Sequence, residues 1–88
     1  MITVYKFAFG ANQSELALSI PLNAKPVHVA VQNRRITMWF ELDTEEEKVD
    51  RHFKVVPTGA EVPEQGTHIQ SILDGEFVWH IYEEAIHE

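Results

Sequence analysis

Aromatic, imidazole and amide side chains alternate with aliphatic ones in two stretches of this chain, and together they could hold a flat, hydrogen-bonding ligand. In the first stretch, Trp39 follows a valine-rich segment that carries His28 and Gln32. In the second, His80 and Tyr82 lie two residues apart. Trp and Tyr offer flat faces on which a base can stack, and His and Gln offer directional hydrogen bonds. We therefore expect these side chains to form a recognition surface.

Two adjacent cations, Arg34 and Arg35, stand close to this set in the sequence. Guanidinium groups bind phosphate or carboxylate in a bidentate geometry, so arginines beside stacking aromatics indicate a nucleotide-type pocket. The alternative is that Trp39 and Trp79 are core residues, as large aromatic residues usually are. The predicted ligand-binding residues are His28, Gln32, Arg34, Arg35, Trp39, His80 and Tyr82.

The five histidines could also bind a metal ion; they are His28, His52, His68, His80 and His87. A metal site would have to gather His28, His68 and His80 with a carboxylate such as Glu41 or Asp74. No two histidines are spaced i, i+2 on a strand or i, i+4 on a helix, which are the usual chelating spacings. We therefore expect neither a metal nor a cofactor.

Catalytic motifs are also missing from the sequence. There is no cysteine for thiolate chemistry, and Ser14, Ser19 and Ser71 lack the glycine context of a nucleophile elbow. The four glycines are scattered and form no phosphate-binding loop. The chain is therefore predicted not to be an enzyme. A small hydrolase or metalloprotein that uses His28, His68 or His80 is the weaker alternative.

Composition limits the classes of partner. The 88 residues predict one domain, residues 1–88, with an acidic tail at 83–88 that is expected to fray. The net charge is −7, from 14 acidic and 7 basic residues, whereas proteins that bind duplex nucleic acid need a basic surface. We therefore expect no duplex partner. An acidic surface could instead block a basic site on another protein, which is a second functional hypothesis.

Length and hydropathy bear on assembly and location. No segment approaches the roughly 20 apolar residues that span a membrane, and the N-terminus lacks the layout of a signal peptide. The sequence therefore predicts a cytoplasmic protein without a membrane partner. So short a chain buries only roughly 60–65% of its unfolded surface, and it has no cysteine to form a disulfide. We expect a homo-oligomer, because assembly would bury the extra aromatic surface.

The elements that must position these residues are β-strands, since apolar and polar residues alternate with a period of two. The predicted strands cover residues 3–9, 16–20, 26–32, 36–42, 51–57, 67–74 and 77–82. No strand-to-helix unit is present. The fold is therefore predicted to be all-β, a small antiparallel β-sandwich or partly open barrel of about seven short strands.

Side-chain alternation and turn residues give finer expectations. Val27, Val29 and Val31 should face the core on the third strand, as should the residues that flank Trp39 on the fourth. The first two strands are predicted to pair as a hairpin, and Asp74-Gly75 to form a second one. The third and fourth strands are expected to be joined either by a two-residue turn at Asn33-Arg34 or Arg34-Arg35, or by a slightly longer loop with Asn33 in the left-handed region. Residues 43–50 are expected to form a loop with a short turn, in which one helical turn is the alternative.

The segment Pro26–Asn33 is followed in order by Trp39, Arg51-His52-Phe53, Thr58-Gly59 and Phe77–Glu83. In that order these segments resemble a family of small bacteriophage proteins of unknown function, over nearly the whole chain. Two positions depart from the family pattern. Arg34 stands where glycine is usual, which argues against a tight two-residue turn, and Ala60 stands where histidine usually follows Thr-Gly, which argues against a site there.

The resemblance implies a phage accessory protein made in the cytoplasm of an infected bacterium. Small phage proteins of this kind often antagonise host defence, either by sequestering nucleotide signals or by binding an effector protein. The expected partner is therefore a small anionic ligand or a host defence protein. This expectation rests on analogy of context.

Overall fold

The computed structural model describes residues 1–85 as seven β-strands joined by turns and loops. The strands are β1 (Ile2–Ala8), β2 (Glu15–Pro21), β3 (Lys25–Gln32), β4 (Arg35–Asp43), β5 (Lys48–Pro57), β6 (Gly66–Asp74) and β7 (Phe77–Glu84). Sheet A has the order β1-β4-β3 and sheet B the order β2-β5-β7-β6, with every neighbouring pair antiparallel. The two sheets do not close into a barrel, so the predicted all-β sandwich is confirmed.

The hydrophobic core lies between the two sheets. Phe40 of β4 and Phe53 of β5 are both fully buried, and their rings meet edge to face with centroids 5.5 Å apart. Buried aliphatic residues from both sheets surround this pair: Ile20, Val29, Met38, Leu42, Val55, Ile72 and Ile81. Each strand contributes alternate residues because its side chains project to opposite faces.

The prediction that the first two strands form a hairpin is wrong. β1 pairs with β4, and β2 pairs with β5 in the other sheet. Residues 9–14 carry the chain from one sheet to the other, and Phe9 is buried at this corner. Each end of the segment prolongs a ladder, since Phe9 N–H donates to Ile36 O and Val55 N–H donates to Ser14 O. These long-range bonds replace the local pairing that the sequence suggested.

The turn between β3 and β4 is the two-residue alternative at Asn33-Arg34, and not the longer loop. Gln32 pairs with Arg35, so Asn33 and Arg34 alone form the turn. Their φ angles are 53° and 64°, the left-handed values of a type I′ hairpin. The predicted second hairpin is confirmed between β6 and β7, with Asp74 as the last residue of β6 and Gly75 in the turn.

Two β-bulges explain where the simple alternation fails. On β3 the register shifts between Pro26 and His28, and the extra residue, Val27, is 49% exposed. Val29 is 1% exposed, whereas Val31, at the end of the strand, is 37% exposed. Only Val29 therefore meets the expectation of a buried position. A second bulge lies on β6 between His68 and Gln70.

The connection from β5 to β6 crosses β7, since β7 lies between these two strands in sheet B. At its start, Thr58 Oγ1 is 2.9 Å from His80 Nε2, and at its end Pro63 packs near Gly66 and Tyr82. The loop therefore runs over the outer side of β7.

Two strands extend further than the sequence predicts. β5 begins at Lys48, so the segment 48–50, expected to be loop, is strand. β7 continues to Glu84, so Glu83 and Glu84 belong to the sheet and not to a frayed tail. Residues 86–88 of the predicted tail, His87 included, lie outside the described residues.

One end of the sandwich, the closed end, is covered by the turns at 22–24 and 44–47. Arg51 projects between the sheets there and makes two hydrogen bonds to the Glu83 carboxylate, at 2.7 and 2.8 Å, and one to Ala24 O. Its guanidinium also lies 5.9 and 5.6 Å from the ring centroids of Phe40 and Phe53. Cation, carboxylate and aromatic rings together fill this end of the core.

Candidate functional site

The predicted ligand-binding residues do not form one cluster, although Gln32 and Arg35 are cross-strand partners. His28, Gln32 and Trp39 lie on the outer face of sheet A, whereas His80 and Tyr82 lie on the outer face of sheet B. Arg34 and Arg35 lie at the end of the sandwich opposite the closed end, which we call the open end. The core separates the two outer faces, so they cannot form one pocket.

On sheet A, Trp39 faces away from the core, as the alternation predicts. Its neighbours in sequence, Met38 and Phe40, are fully buried, whereas Trp39 is only partly covered. Its ring lies 5.3 Å from that of His28 on β3. On the same face, Lys6 Nζ donates to Gln32 Oε1 at 2.6 Å. The polar and aromatic groups of this face thus contact one another within the chain.

On sheet B, a chain of hydrogen bonds holds His80. Ser71 Oγ lies 2.6 Å from His80 Nδ1 and 2.9 Å from His68 Nε2, and Thr58 Oγ1 lies 2.9 Å from His80 Nε2. Thr58 Oγ1 also approaches Val78 O at 3.4 Å. One assignment of donors satisfies every contact: His68 donates to Ser71, Ser71 to His80, His80 to Thr58 and Thr58 to Val78. The chain fastens the start of the 58–65 loop to β7.

Tyr82 belongs to the same surface of sheet B. Its ring packs edge to face against that of His68, with centroids 5.2 Å apart, and both Tyr82 and Pro63 of the loop lie close to Gly66. The side chain therefore has partners within the sheet and its crossover. We assign His80 and Tyr82 to holding the loop, which the sequence alone did not suggest.

A cleft of about 370 Å³ lies between the sheets at the open end. Segment 9–14 lies along one side, and the hairpin turn with Arg34 and Arg35 lies along another. Its apolar lining includes Phe9, Val31, Ile36, Val55 and Trp79, and its polar lining includes Asn12, Gln13 and Asp74. An apolar concavity with a few polar groups at its margin is the usual form of a small-molecule site.

Trp79, which the sequence analysis weighed only as a core residue, borders this cleft. Its indole Nε1–H donates to Asp74 Oδ2 at 3.1 Å, and its ring stacks on Phe77 with centroids 5.4 Å apart. These two contacts fix the ring before any ligand arrives. The position of Trp79 in the sequence could have identified it as a cleft residue, because it lies five residues after Asp74 and close to the predicted turn. An inward-facing side chain near a turn lies at the end of the sandwich.

The cleft differs in charge from the rest of the chain. Its two arginines are exposed, and within residues 1–85 neither guanidinium makes a side-chain hydrogen bond or an ion pair. Arg35 also borders a second groove, on sheet A, lined by Lys6, Gln32 and Thr37. A chain with net charge −7 thus presents a cationic corner. Asp74 lies at the Trp79 side, so the cleft has one basic and one acidic part.

The acidic loop at the closed end is engaged within the chain. Asp43 accepts a hydrogen bond from Glu45 N–H at 3.0 Å and forms an ion pair with the terminal ammonium of Met1 at 3.3 Å. The hydrogen bond from Glu45 N–H has the largest effect and the bond from the Met1 ammonium the next largest, and both lower the pKa of Asp43 below its usual 3.8. Glu46 accepts two hydrogen bonds from Asn23. These contacts fasten the turns over the core.

No group of three or more His, Asp or Glu that could hold a metal ion occurs within residues 1–85. The histidines that were considered as metal ligands are divided, with His28 on sheet A and the pair His68 and His80 on sheet B.

The described residues also include no helix long and apolar enough to cross a membrane.

Comparison with known proteins gives one match. The sequence model of a family described as a domain of unknown function, DUF7352, matches residues 1–88. No curated protein and no solved structure matches the chain.

Proposed function

The chain therefore belongs to the DUF7352 family, a domain of unknown function, and we propose that it is a non-enzymatic binding protein that captures a small anionic ligand of nucleotide type in the cleft at the open end. The proposal keeps Arg34 and Arg35 from the set expected from the sequence. It replaces Trp39 by Trp79 as the aromatic platform. His28, Gln32, His80 and Tyr82 take structural roles in it.

The observation that carries the proposal is the backbone of Arg34. Its φ of 64° is left-handed, a conformation that disfavours residues with a Cβ by about 1–2 kcal/mol. Glycine is the favoured second residue of such a turn. A strained, exposed arginine at the margin of a cleft is therefore better explained by binding than by stability, since strain of this kind concentrates at functional sites.

The chemistry of the cleft favours a ligand with two different ends. Arg34 and Arg35 suit a phosphate or carboxylate. The indole of Trp79 suits a flat ring, and the Asp74 carboxylate can accept hydrogen bonds from the N–H groups of such a ring while it repels an anion. A heterocycle joined to a phosphate matches this division. The volume of about 370 Å³ falls within the range of small-molecule sites.

The biological setting that we propose is the one implied by the resemblance in sequence. The protein acts in the cytoplasm of a phage-infected bacterium, as a homo-oligomer, and antagonises host defence by sequestering a nucleotide signal. The cleft supports only the binding step of this hypothesis, and the setting rests on analogy.

Calorimetry with a panel of mononucleotides and cyclic nucleotides tests the binding step. An uncharged nucleoside and inorganic phosphate serve as the ring-only and anion-only arms. We expect the best nucleotide to bind at least tenfold more tightly than either fragment, because both ends of the cleft contribute. Binding of none of these compounds, or of phosphate as tightly as any nucleotide, would refute the proposal.

Variants locate the site. Arg35→Gln and Arg34→Gly should each weaken binding about tenfold or more, since a charge-assisted hydrogen bond contributes about 1.5–3 kcal/mol. Lys54→Gln, which removes a positive charge on the outer face of sheet B, and Trp39→Phe are the matched controls and should bind as the parent does. Loss of binding in Trp39→Phe with full binding in Arg35→Gln would move the site to sheet A.

A second candidate function is an acidic inhibitor that blocks a basic site on a host protein. The observation that favours it is the concentration of carboxylates at the closed end, at Asp43 and Glu45–Glu47, away from Arg34 and Arg35. Binding through this end should weaken steeply as salt rises. An association with a host protein that is insensitive to salt would exclude it.

A further inference from the structure

The free edge of β1 is unusual among the four edge strands of the sandwich. β3 starts with Lys25-Pro26 and carries a bulge, β6 carries a bulge, and β2 ends at Pro21. Proline and bulges discourage pairing with another chain. β3 and β6 also lie against each other, since Gln70 Nε2 donates to Val29 O across the sandwich. β1 has seven residues in unbroken register and has none of these features.

The pattern of hydrogen bonds between β1 and β4 shows which backbone groups of β1 point away from β4. Phe9 N–H donates to Ile36 O, and Thr44 N–H donates to Met1 O, so the odd-numbered residues face β4. In an antiparallel ladder the intervening residues point their N–H and C=O groups the other way. Ile2, Val4, Lys6 and Ala8 therefore present these groups at the edge.

The side chains of this edge are mostly apolar and carry no negative charge. Ile2, Val4 and Tyr5 are 71%, 51% and 48% exposed. The first acidic residue of the sequence is Glu15, although the chain contains 14 acidic residues. Two copies with net charge −7 each would repel each other at most surfaces, and β1 itself adds no negative charge to that repulsion.

We propose that β1 pairs with β1 of a second copy in antiparallel orientation, centred on Val4, and joins the two three-stranded sheets into one of six strands. In this register Val4 faces Val4 of the second copy, and Lys6 faces Ile2, which lies beside Asp43. This register keeps the two lysines apart and places each of them in the same cross-strand row as Asp43 of the other copy. A two-fold axis closes the assembly as a dimer. The proposal does not depend on the cleft.

Sedimentation velocity over a concentration series tests the assembly. We expect the parent protein to form a dimer, and Val4→Pro to be monomeric with an unfolding midpoint close to that of the parent. Val4 N–H faces away from β4, so proline removes a donor that only the dimer uses. Val4→Thr keeps the donor and the strand preference and should remain dimeric. A parent protein that is monomeric at all concentrations, or a dimer that survives Val4→Pro, overturns the proposal.

Disulfide cross-linking tests the register independently and keeps the proposal testable if Val4→Pro fails to fold. Thr3 faces Tyr5 of the second copy, in a position where the Cα atoms of an antiparallel pair are about 4.5 Å apart. A mixture of Thr3→Cys and Tyr5→Cys chains should form a mixed disulfide on oxidation, whereas Thr3→Cys alone should not. The parent has no cysteine, so the bond is unambiguous. Absence of the mixed disulfide excludes this register.

Discussion

The two ends of this sandwich use arginine in opposite ways. At the closed end, Arg51 has its charge matched by Glu83, donates a third hydrogen bond to Ala24 O and packs against two buried rings. At the open end, Arg34 and Arg35 project into a solvated cleft. The contacts of Arg51 join residues of both sheets, whereas Arg34 and Arg35 are exposed and are the residues that we propose for ligand binding.

The surroundings of each arginine explain the division. The side chains of Arg51 and Glu83 are 15% and 25% exposed. When one of them is removed, water can therefore replace few of the hydrogen bonds that the other loses. The exposed guanidiniums of the open end stay hydrated, and their removal leaves no buried partner uncompensated. Stability should therefore depend on the closed end, and binding on the open end.

Replacement of Arg51 should have the largest effect on stability. Arg51→Ala leaves the Glu83 carboxylate without its partner and removes the contacts with Phe40 and Phe53. Partial exposure moderates the loss, and we expect unfolding free energy to fall by about 2–3 kcal/mol. Urea denaturation measures it. Arg35→Ala is the matched variant of the open end and should change stability by less than about 0.5 kcal/mol.

The double replacement Arg51→Met with Glu83→Leu separates charge from packing at the closed end. Apolar residues of similar volume often replace a buried ion pair without loss, so this variant should recover most of the stability lost in Arg51→Ala. If the double variant is as unstable as Arg51→Ala, the ion pair itself holds the end together. Equal losses in Arg51→Ala and Arg35→Ala would contradict the contrast between the two ends.

Arg34→Gly should have a smaller effect of opposite sign. Glycine relieves the left-handed backbone but adds freedom to the unfolded chain, and we expect a net gain of about 0.5–1 kcal/mol. Thermal and urea unfolding measure it, with Arg35→Gly, on a regular strand position, as the control that should lose stability. If Arg34→Gly gains stability and loses nucleotide binding, the strained backbone at Arg34 costs stability and the arginine side chain serves binding. A loss of stability in Arg34→Gly would mean that the turn is not strained.

Local order was predictable from the sequence because strand periodicity is a property of neighbouring residues. The alternation around Trp39 correctly placed that residue opposite Met38 and Phe40, and Asp74-Gly75 correctly marked a hairpin. The same alternation cannot tell which sheet a strand joins. Trp39 and His80 therefore seemed to share a face, although they lie on opposite sides of the molecule.

The cleft could not be predicted from the sequence for the same reason, because its position depends on which strands pair. Trp79, Arg34 and Phe9 come from separate segments, which meet only because β1 pairs with β4 and the 9–14 segment changes sheet. Sequence adjacency suggested a β1–β2 hairpin, which would have placed Phe9 elsewhere. The sequence shows an arginine at position 34, but it does not show the left-handed backbone that makes this residue unusual.

The smallest expected effect concerns the acidic loop and is expressed through pH. Folding lowers the pKa of Asp43 below 3.8, so the folded state favours the charged carboxylate. The resulting stabilisation is complete above the ordinary range of Asp and is lost as pH falls through it towards the lowered value. Because Asp43 is solvated, this loss should be slight. Urea unfolding at a series of pH values, with Asp43→Asn as the comparison, measures it. The difference between parent and variant should be larger at neutral pH than in acid, and a constant difference would show that the turn does not depend on the charge.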